Sequence, residues 1–162
     1  MNGRSISILW FTFIAALAFT PPAAAQADFA VVVHPENPIA NLSRADLRKL
    51  LNGEKRTWPS GAPVKIIVRA PGCRERAALL KFLNQSESEY KQYWTAQVVR
   101  GEADAEPFVS PSLGMVLEAV RVLPGAISLV YIGDLKPGVK VIKVDGLLPG
   151  APGYPLHLGP PS

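Results

Sequence analysis

Between residues 28 and 145 the chain alternates short apolar runs with amphipathic segments. Residues 29–33 are apolar throughout and residues 64–68 are interrupted only by Lys65, which predicts two β-strands buried on both faces of a sheet. Residues 126–132 and residues 139–144, which carry lysines at 140 and 143, predict two further strands. The segments between them carry apolar residues every three to four positions, which predicts helices packed on that sheet. Strands that alternate with helices indicate an α/β layered structure with a partly parallel sheet.

Serine residues mark most of the predicted helix starts. Ser43 precedes Asp46 by three positions and Ser86 precedes Glu89 by three, which is the spacing of a capping box. Ser112 opens another predicted helix, and a further helix is expected to begin near Arg74, after a Pro-Gly turn. The residues predicted to be buried are Leu47, Leu50, Ile66, Val68, Leu79, Leu83, Met115, Val120, Ile127 and Leu129.

The aromatic residues fit packing better than ligand binding. Tyr90, Tyr93 and Trp94 stand at helical spacing and could line a pocket, but a helix packed on the sheet explains them as well. Trp58 lies in a turn and is interpreted as a packing residue under that turn.

The first 27 residues have the pattern of a cleavable secretory signal. Arg4 precedes an apolar run over residues 6–19, and Ala25-Gln26-Ala27 fits the small-x-small cleavage rule. The run is shorter than the ~20 residues that a membrane-spanning helix needs. We therefore expect cleavage before Asp28 and a periplasmic protein that does not span the membrane once mature.

The remaining residues form one predicted domain and a tail. Residues 28–145 have the length of a single domain. Residues 146–162 are rich in proline and glycine, which predicts an extended tail lying on the domain without a further element.

Composition excludes several classes of protein. The net charge of +4 is modest and the basic residues are scattered, which argues against nucleic-acid binding. Cys73 is the only cysteine, and neither His34 nor His157 stands at metal-ligand spacing. Nucleophile and nucleotide-binding motifs are absent. We expect no enzymatic activity and no cofactor, and the acidic residues 102–106 are interpreted as a solvated loop rather than a cation site.

The segment from Arg69 to Arg76 offers a physical basis for ligand binding. It runs from a buried strand into the start of a helix, where free backbone N–H groups and the helix dipole favour an anion. Arg69, Arg74 and Arg76 add positive charge, and arginine can hold an oxyanion with two parallel hydrogen bonds. An ordinary strand-to-helix turn with solvated arginines explains the same residues.

Several short motifs, in order, resemble the periplasmic phosphate-binding protein family of ABC transporters. More closely, the chain is similar to short, one-lobe members described as phosphate ABC transporter substrate-binding-like proteins. The motifs are Val31-Val32-Val33-His34-Pro35-Glu36-Asn37-Pro38, Leu42-Ser43, Gly53-Glu54-Lys55, Trp58-Pro59-Ser60-Gly61, the segment 69–79, Tyr93-Trp94, Gly101, Pro124-Gly125-Ala126-Ile127 and Tyr154-Pro155-Leu156. The resemblance implies an α/β fold: a single lobe of the type 2 periplasmic-binding-protein kind, with a mixed sheet flanked by helices.

The family's anion loop reads arginine, two variable residues, then Gly-Ser-Gly-Thr-Arg. Arg69, Gly72 and Arg76 match this motif. The serine, the second glycine and the threonine are replaced, in that order, by Cys73, Arg74 and Glu75. Two hydroxyl donors are lost, and Glu75 would repel an oxyanion or pair with Arg69 or Arg76.

The resemblance therefore implies a solute-binding-like protein with weak binding of phosphate or another small oxyanion, and an ABC transporter or another envelope protein as partner. The expected ligand-binding residues are Arg69, Gly72, Cys73, Arg74 and Arg76. The alternative is a ligand-free accessory or protein-interaction module of the cell envelope. Cys73 is expected to react with thiol reagents, because a helix start beside arginines favours the thiolate.

Overall fold

The computed structural model describes residues 27–159, so nearly all of the predicted signal segment lies outside the described residues. The strands are β1 (Ala27–Val33), β2 (Asn41–Leu42), β3 (Lys65–Arg69), β4 (Phe108–Ser110), β5 (Ala126–Tyr131), β6 (Lys140–Val144) and β7 (His157–Leu158). The helices are α1 (Arg44–Leu51), α2 (Arg74–Leu83), α3 (Glu87–Val99) and α4 (Leu113–Val122), with a short 3₁₀ helix at Ile132–Asp134. Within residues 27–159, no helix is both long and apolar enough to cross a membrane.

The strands form one mixed sheet in the order β2-β6-β1-β5-β3-β4, with β7 paired to the start of β1. β3 runs parallel to both β4 and β5, and β2 runs parallel to β6. β1 runs antiparallel to β5, β6 and β7. The predicted α/β fold with a mixed sheet flanked by helices is confirmed.

The apolar run of β1 is continuous because both faces of the sheet are covered. Phe29, Val31 and Val33 point into the larger core cluster, which also contains buried residues of α1, α2 and α3. Ala30 and Val32 point into a smaller cluster with buried residues of α4. The sheet therefore separates three helices on one face from one helix on the other.

Of the four α-helices in the part of the chain that the structure describes, three begin at a serine that caps them. The hydroxyl oxygens of Ser43, Ser86 and Ser112 each accept a hydrogen bond from a backbone N–H of the first turn. Ser86 and Glu89 complete a capping box in both directions. Cys73 holds the same position at α2 and makes no side-chain cap bond.

Trp58 is a packing residue, as predicted. It is 2% exposed, and its indole Nε1–H donates to the carbonyl oxygen of Gly125 at 2.9 Å. Gly125 has a φ of 84°, and a Cβ there would lie 2.0 Å from the carbonyl oxygen of Pro63. Only glycine fits this close approach, which explains the Pro-Gly pair before β5.

Three predictions about burial and structure are wrong. Met115 is 48% exposed, because α4 turns Val116 and Val120 toward the sheet instead. Ile66 is only partly buried, since β4 begins its pairing with β3 one residue later. The C-terminal segment forms the short strand β7, contrary to the prediction of a tail without a further element. β6 pairs only with the second half of β1, so the first two residues of β1 remain free to pair with β7.

Candidate functional site

The carboxyl ends of β3, β4 and β5 meet at one edge of the sheet because these strands are parallel. In open α/β sheets ligands bind at this edge, outside the carboxyl ends of the strands. The loop after β3 leads into α2 here, and the 3₁₀ helix after β5 lies beside it. The parallel pairing of β3 with β4 and β5 thus places the predicted anion loop at the edge of the sheet where ligands usually bind.

Glu75 carries a buried carboxylate between two of the loop's arginines. Its Oε2 lies 3.9 Å from Nε of Arg69, and its Oε1 lies 3.6 Å from Nε of Arg74. The Glu75 side chain is 6% exposed and that of Arg69 is 13% exposed. The carboxylate of Glu75 therefore lies between these two guanidinium groups.

Arg69 and Arg74 have further partners. Nη1 of Arg69 donates to the carbonyl oxygen of Ser110 at 3.2 Å, which ties β3 to the end of β4. Arg74 forms an ion pair with Asp134, and its guanidinium lies 3.9 Å from the ring centroid of Tyr131. Both arginines are thus held by groups from β4, β5 and the 3₁₀ helix.

Arg76 faces a different part of the molecule. Its guanidinium donates two hydrogen bonds to the carboxylate of Glu87, at 2.6 Å and 3.0 Å, and lies 4.1 Å from the ring centroid of Tyr90. Positions two apart on a helix do not share a face, which explains why Arg74 and Arg76 diverge once α2 has begun. The hydrogen bonds from Arg76 lower the pKa of Glu87, against a smaller opposing effect of burial.

Gly72 and Cys73 complete the loop. Gly72 has a φ of 86°, a left-handed conformation that favours glycine, and it directs the chain into α2. Cys73 is a partly buried free cysteine at the start of that helix. The position that holds a hydroxyl in the resembled family therefore holds a thiol that makes no cap bond.

Little free space remains behind the loop. A cavity of about 10 Å³ lies next to Arg69, Glu75 and Ser128. This is about the volume that one water molecule needs. A tetrahedral oxyanion can enter only if Glu75 moves out.

The predicted site residues thus divide into two groups. Arg69, Gly72, Cys73 and Arg74 lie around Glu75, whereas Arg76 is directed toward α3. Ligand binding by these residues stays a prediction. No local spacing in the sequence marks Asp134 and Tyr131 as neighbours of Arg74, because they lie at and just after the end of β5, far along the chain.

A family profile described as the PBP superfamily domain matches residues 20–144. The chain belongs to the PBP superfamily. No curated protein matches the chain. Within residues 27–159, no group of three or more His, Cys, Asp or Glu residues is placed to hold a metal ion.

Solved structures of similar fold include two longer proteins, of which this chain covers just over half. An ABC-type phosphate transport receptor from Vibrio cholerae is 20% identical with a TM-score of 0.67, over 83% of this chain and 55% of that one. PstS from Borrelia burgdorferi is 19% identical with a TM-score of 0.64, over 83% of this chain and 56% of that one. At this identity the likeness shows a PBP-type fold, of which the chain spans about half the length.

Proposed function

We propose that this PBP superfamily member is an exported, non-enzymatic solute-binding-like protein that binds a small oxyanion, such as phosphate, weakly. Binding would use the loop from Arg69 to Arg76 at the start of α2. The predicted signal segment supports export. The similar structures, one of them described as a phosphate transport receptor, support an oxyanion as ligand and an ABC transporter as partner.

The position of Glu75 carries this proposal. A buried carboxylate lies between Arg69 and Arg74, which supports an anion-accepting role for this part of the loop. A carboxylate and a phosphate both present oxygen acceptors to guanidinium groups. The loop therefore has the charge and the donors for an oxyanion, and Glu75 acts as an internal competitor.

Weak binding follows from the same geometry. A phosphate must displace Glu75, which would otherwise remain a like charge within a few ångströms. Arg76 is engaged by Glu87 and contributes little to the loop. A few partly exposed contacts of ~1 kcal/mol each give a dissociation constant of about 1 mM, which corresponds to about 4 kcal/mol.

Titration with inorganic phosphate tests the proposal. We expect millimolar binding by the wild type and binding about tenfold tighter or more by Glu75→Gln, because the substitution removes the competing charge. Glu118→Gln is the control: it makes the same change of charge at a carboxylate that pairs with Arg121, outside the loop, and it should leave phosphate binding unchanged. Isothermal titration calorimetry on the three proteins gives the comparison.

Two results would contradict the proposal. Micromolar binding by the wild type would show that Glu75 is not a competitor. The absence of binding in both the wild type and Glu75→Gln would favour the second candidate function, a ligand-free interaction module of the cell envelope.

One observation favours that second candidate. Phe108 and Val109 on the edge strand β4 are 55% and 48% exposed. Phe108 and the partly exposed Leu123 line the same groove of about 500 Å³. Exposed apolar residues on an unpaired sheet edge are typical of a protein contact.

A further inference from the structure

A second cavity lies on the other side of Arg76, away from Glu75. It has a volume of about 250 Å³ and lies between α3, the segment that leads into β4, and the loop after β3. Its apolar lining is formed by Val68, Pro71, Pro107 and Val109. An apolar cavity of about 150 Å³ already accommodates benzene, so this one has room for a small organic molecule.

Three buried polar atoms, on residues that line this cavity, have no hydrogen-bond partner within residues 27–159. They are Nη1 of Arg76, the hydroxyl oxygen of Tyr90 and the indole Nε1 of Trp94. The three residues are only 5%, 3% and 4% exposed. Buried polar groups are nearly always paired, because leaving one unpaired costs free energy, so three together indicate a site for a bound molecule.

The three side chains are held in place by neighbours. Nε and Nη2 of Arg76 donate to the carboxylate of Glu87. The same guanidinium group lies over the ring of Tyr90. The rings of Tyr90 and Trp94 meet edge to face with centroids 6.2 Å apart. Burial raises the pKa of Tyr90 to about 12, partly opposed by the charge of Arg76, so its hydroxyl keeps the proton that it can donate.

The unpaired groups require an acceptor. Arginine and tryptophan N–H groups only donate, whereas the Tyr90 hydroxyl donates its proton and can also accept from the neighbouring N–H groups of Arg76 and Trp94. The ligand must therefore present oxygen acceptors to these donors and an apolar surface to the valines and prolines.

The charges around the cavity limit the charge of the ligand. Arg76 and Lys91 are balanced by Glu87 and Glu106. A dianion such as phosphate would meet both carboxylates, whereas a single negative charge would be repelled less and would gain charge-assisted hydrogen bonds from Arg76.

From these contacts we propose that the cavity binds a small monocarboxylate with an apolar or aromatic body. The carboxylate accepts hydrogen bonds from Arg76, Tyr90 and Trp94, and the body packs against Pro71, Pro107 and the valines. This site does not depend on oxyanion binding at the Glu75 loop.

Benzoate is the probe for the test, followed by the NMR signals of the tryptophan indole N–H groups. We expect a saturable shift of the Trp94 Nε1–H signal, identified by its loss in Trp94→Phe. The Trp58 Nε1–H signal is an internal control, because that group already donates to Gly125 at 2.9 Å. Phosphate should not displace benzoate. No saturable shift, or equal shifts of both indole signals, would overturn the proposal.

A pair of tyrosine variants locates the site. Tyr90→Phe removes one hydroxyl from the cavity and should weaken benzoate binding about fivefold, the loss of roughly one hydrogen bond. Tyr93→Phe is the matched control, since its hydroxyl donates to the carbonyl oxygen of Asn52 outside the cavity, and it should leave binding unchanged. Equal effects of the two variants would contradict the assignment.

Benzamide tests the carboxylate without any substitution. It has the same ring and nearly the same shape as benzoate but carries no charge. We expect benzoate to bind wild-type protein at least fivefold more tightly, because hydrogen bonds to a charged acceptor are stronger than neutral ones. Equal affinity for the two molecules would overturn the assignment of a carboxylate ligand.

Discussion

The two sides of the α2 start are built in opposite ways. On one side, Glu75 fills the space between Arg69 and Arg74 and leaves a cavity of about 10 Å³. On the other side, Arg76 borders a cavity of about 250 Å³ with unpaired donors. The loop that resembles a known anion site is thus closed by the chain's own carboxylate, while the neighbouring cavity is open.

This difference shows that charge alone does not locate a ligand. Arg69, Arg74 and Arg76 stand within eight residues, but each one is paired with a carboxylate of this chain. Within residues 27–159, Nε of Arg69 also lacks a hydrogen-bond partner, but it faces only the small cavity beside Glu75. What distinguishes the open cavity is that several left-over donors border free volume, which only the packed structure reveals.

The largest expected effect is on the free energy of unfolding, and it depends on how exposed the carboxylates of Glu75 and Glu87 are. Arg69→Met should lower the free energy of unfolding by about 3 kcal/mol, because it leaves the buried Glu75 without its buried partner. Arg76→Met should cost less, since Glu87 is 43% exposed and can be solvated. Urea unfolding of both variants gives the comparison.

The double variant Arg69→Met, Glu75→Leu controls for the loss of the arginine itself. Removing both charges should restore most of the stability, because no buried charge is left unpaired. If Arg69→Met alone is neutral, Glu75 is satisfied by Arg74 and the description of a closed, internally paired loop is wrong.

An intermediate effect on the free energy of unfolding is expected at Cys73, which stands at the start of α2. Cys73→Ser should raise the free energy of unfolding by about 1 kcal/mol, because a serine hydroxyl can accept a hydrogen bond at the start of α2 as serines do at α1, α3 and α4. Ser86→Ala, which removes an existing cap, should lower it by a similar amount. Thermal unfolding measures both, and a destabilised Cys73→Ser would indicate that the sulfur packs against the loop.

The smallest expected effect is a pH-dependent contribution to stability from Glu87, the partner of Arg76. The folded-state pKa of Glu87 lies below its unfolded value because Arg76 donates to it. Its stabilising contribution is complete above the unfolded pKa, about 4.3, and is lost as the pH falls through the folded value.

Comparing the wild type with Glu87→Gln isolates that contribution. The wild type should be more stable by a few tenths of a kcal/mol near neutral pH, and the difference should disappear in acid. Calorimetry at several pH values measures it, and a difference that grows on acidification would contradict the assignment.

Much of the fold could be predicted from the sequence because its signals are local. The serine caps of α1, α3 and α4 act over three residues, and the apolar run of β1 reports burial on both faces. Met115 was wrongly placed in the core because an apolar residue near the edge of a helical stripe can face either way. Strand β7 was missed because two residues carry no periodicity.

Cys73 and Glu75 were recognised from the sequence as departures from the family motif. The family motif leaves Arg69 and Arg76 as possible partners of Glu75, and the structure pairs Glu75 with Arg69 and Arg74. Tyr90 and Trp94 were interpreted as packing residues, and they are buried as such. Their unpaired polar atoms could not be inferred, because satisfaction of a donor depends on every neighbour in space.

The sequence by itself determined the α/β class, the order of the main elements, the family, and the place of an arginine-rich loop at the carboxyl end of β3. The tertiary structure alone decided which carboxylate meets which arginine. Arg74 pairs with Asp134, which is 60 residues away, and Arg76 pairs with Glu87 on the next helix. Local signals act along the chain, whereas ion pairs and cavities are fixed by the packing of distant elements against one another.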